Sequence, residues 1–223
     1  MATKNSLSNR SQELTLDPGA AGDSVLQFSI NGTGEFRIGV DDTDDSFRIS
    51  QGSALGTNDT FVMSDAGERT MPLQAAFLAV LPSTDDNVTG EGTVWTLGSV
   101  TALTEIFDQN GDFNTNGTFT APVTGRYKLT MAFNIKEDET PGMASTDCEI
   151  SILTSNRTWN CLKENPSVLI ANKVDMLPCA TIFVDMDIGD TAVSRVMCDG
   201  AGSKLVDVYG IGTRSHFSGS LIC

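Results

Sequence analysis

Alternating apolar and polar positions mark most of this chain as short β-strands. The clearest example is the segment 125–135, in which every second side chain is apolar. A period of two places these side chains on one face of a strand. The face consists of Tyr127, Leu129, Met131 and Phe133. We therefore predict a strand here with one buried face.

The whole region after residue 73 predicts an antiparallel sandwich. Similar runs recur there with turn-forming residues between them, and around ten strands at this spacing are typical of a two-sheet jelly roll. The predicted strands are 75–81, 93–97, 102–107, 117–120, 125–135, 148–154, 157–161, 168–170, 179–186, 191–197, 204–209 and 216–222. The pattern predicts no amphipathic helix.

The region before residue 73 carries a simpler, repeated pattern. Phe-x-Ile pairs occur three times, and a weaker Phe-Val-Met unit follows. They are Phe28/Ile30, Phe36/Ile38, Phe47/Ile49 and Phe61. Each pair puts two apolar side chains on one face of a strand of about three or four residues, which is too short to be stable alone. We expect these units to stack on each other or on other copies of the chain.

Four segments of the second half, in this order, resemble the C1q-like branch of the C1q/TNF jelly-roll family. They are an opening strand AFLAVL, the sequence FDQN, the hairpin GTFTAPVTGRY and a closing strand HFSG. The resemblance covers residues 73 to 223, although the closing strand lacks the aromatic residues often found at its end. The structural positions that it implies are Phe107, Phe119, Pro122, Gly125, Tyr127, Phe217 and Gly219. It implies an all-β antiparallel sandwich that forms a homotrimer.

Residues 44–74 resemble a module common in bacteriophage tail fibres and tail spikes. The matching features are a Phe-x-Ile strand, an LGTND turn, a second short strand and an Asp-Ala-Gly turn before a proline. We thus expect three parts: an attachment segment (1–25), a short-strand β-repeat shaft (26–73) and a C1q-like head (74–223).

Composition narrows the classes of partner. The formal net charge of −15 repels phosphate backbones, so we expect no nucleic-acid partner. The longest apolar run, AAFLAVLP, is too short to cross a bilayer, and the polar N-terminus lacks the apolar core of a secretion signal. We expect no membrane insertion and a location in a virion assembled in the host cytoplasm.

The five cysteines all lie in the second half of the chain. Cys148, Cys161, Cys179, Cys198 and Cys223 show no CxxC spacing and no zinc-finger pairing with histidine. An odd number without a secretion signal favours buried small hydrophobic residues over a disulfide framework, although oxidation after release stays open.

The sequence gives only weak indications of metal-binding or catalytic groups. Residues 112–117 match the first half of an EF-hand loop, but Val123 stands where the bidentate carboxylate is needed. The acidic runs at 41–45 and 137–139 are typical of solvated turns. His216 is the only histidine and has no nucleophile motif beside it. We expect no cofactor, no metal site and no enzyme activity.

The function that these patterns predict is structural and recognitive: a small trimeric phage tail fibre or spike whose head binds a host surface glycan or protein, alongside other virion proteins. The alternatives are a trimeric capsid decoration protein or head fibre and a non-viral C1q-like binding module. Candidate recognition residues are Asn87, Asn114 and Trp159, which lie in polar segments. Trp159 follows a polar turn and is able to stack on a sugar ring, whereas Trp95 is predicted to pack in a sheet.

Overall fold

The protein is described here by a computed structural model that covers residues 15–19, 21–137, 143–169 and 175–223. The chain divides into two compact units, the N-terminal unit (residues 1–73) and the head (residues 74–223). Antiparallel strands dominate both units. No helix in the described part of the chain has the length and apolar character needed to cross a membrane.

The N-terminal unit is a single five-stranded antiparallel meander in the order β1-β2-β3-β4-β5. Its strands are β1 (Ser24–Ile30), β2 (Thr33–Asp41), β3 (Ser46–Gln51), β4 (Asp59–Met63) and β5 (Arg69–Thr70). Asn31 and Gly32, with φ of 52° and 84°, form the two-residue turn between β1 and β2. The expectation of strands of three or four residues is wrong, because β1 to β4 have 7, 9, 6 and 5 residues, and residues flanking each apolar pair also join the ladder.

One side of this meander is apolar, and we call it the apolar face. The strand register aligns the repeated Phe-x-Ile pairs across β1 to β4. The face consists of Leu26, Phe28, Phe36, Ile38, Val40, Phe47, Ile49, Phe61 and Met63. Phe28 and Phe36 are still 48% and 47% exposed, and Leu26 and Val40 are exposed as well. A sheet normally buries its apolar side against another layer, so this unit lacks half of its core.

The opposite side of the meander holds a charged network around Arg48. The guanidinium contacts the carboxylates of Asp41, Asp44 and Asp59, at 3.2 Å for Asp41 and 2.6 Å for Asp44. The side chain of Arg48 is only 14% exposed. Because a buried charge needs compensating partners, the three aspartates are what allow this arginine to lie against the sheet.

The head contains two packed sheets and a smaller third one. Its strands are β6 (Ala76–Val80), β7 (Asp85–Thr89), β8 (Val94–Thr96), β9 (Thr104–Asp108), β10 (Phe113–Asn114), β11 (Thr118–Thr120), β12 (Gly125–Ala132), β13 (Asn134–Glu137), β14 (Asp147–Thr154), β15 (Thr158–Glu164), β16 (Asp175–Met176), β17 (Cys179–Met186), β18 (Thr191–Asp199), β19 (Val206–Tyr209) and β20 (His216–Leu221). The front sheet has the order β17-β12-β20-β6-β9. The back sheet has the order β10-β11-β18-β14-β15, with β8 also paired to β18. The third sheet has the order β16-β13-β19-β7.

These sheet orders make the head an antiparallel jelly-roll sandwich, which confirms the predicted fold class. The core between the sheets is an aromatic cluster centred on Phe77. Its ring stacks on Phe113 and Phe119, with centroid separations of 4.6 and 4.9 Å, and meets Phe217 edge-on at 5.1 Å. Tyr127 packs edge-on against Phe119. The head therefore encloses a core of its own.

Two predicted strands of the head differ in the structure. The segment 125–135 is interrupted at Phe133, whose amide donates to the Pro178 carbonyl and so leaves the ladder between β12 and β13. The prediction of a strand at 168–170 is wrong, because Pro166–Leu169 forms the short helix α1, and residue 170 lies outside the described residues. Asn165 accepts the backbone N–H groups of Val168 and Leu169 and starts this turn.

Candidate interaction surfaces

The central part of the outward side of the front sheet, which we call the front face, carries a single charged group, Lys128. Neighbouring strands align small and hydroxyl side chains in rows across it. The face consists of Ala76, Leu78, Phe107, Lys128, Thr130, Thr181, Phe183, Ser218 and Ser220. Arg126 and Asp185, which are paired in the register, lie on the same side of the sheet beyond one end of this set, and His216 lies beyond the other end.

Two phenylalanines flank the small residues of the front face. Phe183 on β17 is 66% exposed, and Phe107 on the edge strand β9 is 48% exposed. Between them Thr130 and Thr181 share a hydrogen bond of 2.9 Å across the strands. Aromatic side chains are enriched in protein interfaces, so Phe107 and Phe183 are the residues of this face that favour association.

The outward side of the back sheet has the opposite character. Its strands present Asp147, Glu149, Arg195 and Asp199, and Lys163 on β15 forms an ion pair with Asp147 at 2.7 Å. Exposed charges of this kind are strongly hydrated and are depleted in interface centres. The two sides of the sandwich thus differ, and the front face is the candidate for association.

The predicted recognition residues are not brought together. Asn114 lies on β10 and Trp159 on β15, which are the two outermost strands of the back sheet, and Asn87 lies on β7 in the third sheet. Asn87 has a φ of 56°, and its amide donates to the Asp207 carboxylate at 2.7 Å. The Asn114 side chain accepts the backbone N–H of Asn116. Both asparagines thus have a role in local backbone geometry.

The Trp159 ring is partly covered within its own strand pair. The guanidinium carbon of Arg157 lies 5.3 Å from the ring centroid, and the indole also packs against the hydrophobic core. A sugar that stacked on this ring would have to displace Arg157. Trp95 is buried and meets Phe133 edge-on at 6.4 Å.

The positions implied by the family motif divide into core and surface. Phe119, Tyr127 and Phe217 are fully buried, Pro122 is half-buried, and Phe107 is exposed on the front face. The Tyr127 hydroxyl donates to the Val123 carbonyl at 2.6 Å, and burial raises the pKa of this phenol.

Two glycines in the motif allow close approach of neighbouring groups. A Cβ atom at Gly219 would lie 2.6 Å from the Phe77 ring, and one at Gly125 would lie 2.8 Å from the Cys223 carbonyl oxygen. A side chain at Gly219 would clash with the Phe77 ring on the neighbouring strand β6, and one at Gly125 would clash with the backbone that follows β20.

A cleft at one end of the head was not predicted from the sequence. It has a volume of about 230 Å³ and is lined mainly by polar side chains from three separate turns. The lining residues are Thr124, Gly125, Arg126, Asn156, Asp185, Met186 and Asp187. Asp185 pairs with Arg157 at 3.5 Å, and Asn156 donates to Asp190 at 2.6 Å. Since these residues are scattered along the chain, no local motif announces the cleft.

The groups considered for metal binding or catalysis serve turns and ion pairs. In the 112–117 loop the Asp108 carboxylate accepts the amides of Asp112 and Phe113, which fixes the loop before β10. Carboxylate oxygens of Asp23, Asp41 and Asp42 lie within 4.8 Å of one another, but Asp41 also contacts Arg48. His216 Nδ1 lies 3.1 Å from the Thr213 carbonyl. The prediction that the acidic run at 137–139 is solvated is wrong for Glu137, which is buried at the end of β13 and accepts hydrogen bonds from the Ala144 amide and the Ser145 hydroxyl, while residues 138 and 139 lie outside the described residues.

Comparisons with known proteins assign no family to this chain. Neither protein-family profiles nor curated proteins give a significant match. Among solved structures, the globular domain of zebrafish complement 1qA protein matches with 15% identity and a TM-score of 0.42, covering 67% of this chain and 98% of that one. Murine APRIL at pH 8.5 matches with 9% identity and a TM-score of 0.43, covering 67% and 99%.

A third solved structure gives a match of the same strength. The vertex protein P5 of PRD1 matches with 10% identity and a TM-score of 0.44, covering 68% of this chain and 99% of that one. Likeness at this level concerns the arrangement of strands and says nothing about ligands or partners.

Proposed function

We propose that this chain is a structural protein of a bacteriophage virion, a small homotrimeric tail fibre or spike whose head binds the host surface. The observation that carries the proposal is the presence of exposed apolar side chains on two sheet surfaces, the apolar face and the front face, of a strongly acidic chain. The resemblance of residues 44–74 to phage fibre modules supplies the viral context.

The apolar face supports self-association of the N-terminal unit. Its side chains form a continuous patch, and a monomer that leaves such a patch in water is prone to association. The tandem Phe-x-Ile pairs come from one chain, so three copies would bring identical faces together around one axis.

The front face supports self-association of the head. Small side chains let two sheets approach closely, and Phe107 and Phe183 would fill the margins of the contact. Bringing three heads together also multiplies weak contacts with a surface, because the second and third contacts become intramolecular. The cleft lined by Arg126, Asn156 and Asp185 would then occur three times, as would the exposed loops of each head.

The trimer is tested by light scattering on the purified protein. The expected mass is three times that of the 23.7 kDa chain. Phe183→Asp should weaken the association, because it places a charge in the front face. Val168→Asp is the matched control, since Val168 is 73% exposed on α1, outside both faces. A monomer at micromolar concentration refutes the proposal.

Host attachment is tested by incubating the protein with host cells and with their extracted surface polysaccharide. Saturable binding to intact polysaccharide or cells supports the fibre. Tight binding to empty capsids without binding to cells indicates a decoration protein instead. Shortening of the polysaccharide would contradict the proposal by revealing an enzyme.

A further inference from the structure

The back sheet of the head contains a pair of facing cysteines that the proposed function does not use. Cys148 on β14 and Cys198 on β18 are direct partners in the strand register, and both side chains point into the core. They are 2% and 0% exposed. All five cysteines lie in described parts of the chain and are in the thiol form.

The backbone around this pair has the geometry that a cross-strand disulfide requires. The Cys198 amide donates to the Thr89 hydroxyl at 3.0 Å, and its carbonyl accepts the amides of Gly90 and Gly92. Both backbone groups of Cys198 therefore turn away from β14, which makes the cysteines a non-hydrogen-bonded pair. In such a pair the Cα atoms lie about 4.5 Å apart, within the range of about 4.4 to 6.8 Å found for disulfides.

The other three cysteines have no comparable partner in the strand ladders. Cys161 lies at a bulge on β15, where its thiol contacts the Trp159 carbonyl. Cys179 is exposed on the front sheet, across the core from the pair. Cys223 is exposed near Arg126. Although the number of cysteines is odd, two of them, Cys148 and Cys198, therefore face each other across neighbouring strands.

We propose that Cys148 and Cys198 form a latent disulfide site, reduced while the chain folds and closed by a disulfide oxidant after the protein leaves a reducing compartment. One thiol loses its proton, and its thiolate attacks glutathione disulfide, releasing one glutathione thiolate. The second cysteine thiolate then attacks the mixed disulfide and releases the other glutathione. The cysteines lose two protons and two electrons, and the oxidant is reduced to two thiols.

Closure is slow in the folded head because the pair is sealed in the core. The pKa of the Cys198 thiol is raised, first by hydrogen bonding with the Cys148 side chain and then by burial, so little thiolate forms near neutral pH. The pair lies one step from the end of the β14–β18 ladder, next to the pair of Asp147 and Asp199. Opening of this ladder end would admit the oxidant without unfolding the head.

Peptide mapping tests the proposal on the full chain. The protein is incubated with glutathione disulfide, the remaining thiols are blocked, and trypsin is applied without reductant. Cleavage after Lys136, Arg157, Arg195 and Lys204 places the two cysteines in separate peptides, 137–157 and 196–204. We expect these peptides to become linked, with the loss of two hydrogen atoms. If both thiols remain blockable after prolonged oxidation, the proposal is wrong.

A pair of variants separates the site from general thiol oxidation. Cys161→Ala should retain the linked peptide and should show the same rise in melting temperature on oxidation, on the order of 5 to 10 °C. Cys198→Ala should lose both the linked peptide and the rise in melting temperature on oxidation. If Cys198→Ala shows the same rise, or if wild-type Cys148 becomes linked to Cys161, the stabilisation does not come from this pair. The peptide map of the wild-type chain decides the matter even if Cys198→Ala folds poorly.

Discussion

The N-terminal unit and the head are built from the same kind of strand, yet only the head completes a core. In the head, two sheets enclose Phe77, Phe119 and their neighbours. In the N-terminal unit, one sheet leaves Phe28 and Phe36 half exposed and protects charged groups on its other side. The difference shows that apolar alternation predicts a strand equally well whether or not a second layer covers it.

The comparison also assigns different origins of stability. A sandwich of this size can be stable through the burial of apolar surface within one chain. A single meander with an open apolar side gains too little from burial to offset the conformational entropy of its backbone. The N-terminal unit should therefore depend on contacts outside itself, and the head should not.

Expressing the two units separately is the strongest test of whether only the head folds without outside contacts. We expect residues 74–223 expressed alone to fold cooperatively, and residues 1–73 alone to remain unfolded, because only the head has a closed core. Circular dichroism and two-dimensional NMR of both fragments provide the measurement. A well-folded isolated fragment 1–73 would show that the apolar face needs no cover.

Phe119→Ala tests the closed core of the head. The ring is 1% exposed and packs between Phe77 and Tyr127, so its removal should cost on the order of 3 to 5 kcal/mol of unfolding free energy. Val168→Ala is the control and should cost less than about 1 kcal/mol in urea unfolding of the head, because that side chain is 73% exposed and lies outside both faces. Equal effects would contradict the distinction between core and surface.

Arg48→Met tests the charged side of the meander. Loss of the guanidinium leaves Asp41 and Asp59 without their cationic partner in a poorly solvated site, at a cost of about 2 to 3 kcal/mol. Hydrogen exchange of the β3 amides in the full chain reports the change. Arg69→Met, on an exposed edge residue, should have little effect. Adding Asp59→Asn to Arg48→Met should recover part of the loss, and failure to do so would indicate that packing of the arginine stem dominates.

The smallest expected effect is a pH dependence at Asp44. The pKa of this carboxyl is lowered, first by the hydrogen bond from Ser46 and also by Arg48. A pKa that is lower in the folded state gives a stabilisation that is present above the unfolded value of about 4 and is lost as the pH falls through the folded value. The β3 amides of Asp44→Asn should therefore exchange faster than those of the wild type at pH 7, and this difference should disappear as the pH falls from about 4 through the lowered pKa of Asp44. A difference that persists in acid would indicate a cause other than charge.

The pattern of apolar and polar residues was sufficient to predict strands that pair with other strands rich in apolar residues. The alternation of Tyr127, Leu129 and Met131 predicted β12, and the strands β17 and β20 that pair with it lie almost where they were predicted. β7 was missed because DDNVT offers one apolar residue. Its Asp85 and Thr89 are buried by hydrogen bonds to Thr101 and to the backbone of Cys198, which no local pattern reveals.

The candidate surfaces were harder to predict for a related reason. The front face is made of alanine, serine and threonine rows contributed by strands far apart in the chain, so its uniformity appears only after pairing. Trp159 was a candidate for sugar stacking because an exposed aromatic ring was expected there, but Arg157 lies over its ring. Whether a side chain is available to a partner depends on such neighbours, and sequence alone does not place them.

The position of β20 has a consequence for biosynthesis. This strand follows all the others of the head in the chain, yet it lies in the middle of the front sheet, between β12 and β6. A nascent chain still threaded through the ribosome therefore exposes two unpaired strand edges and an open aromatic core until residues beyond 221 emerge. The head is expected to close in one late step after β20 has emerged, and premature stop codons that remove β20 should yield aggregating protein instead of shortened but working heads.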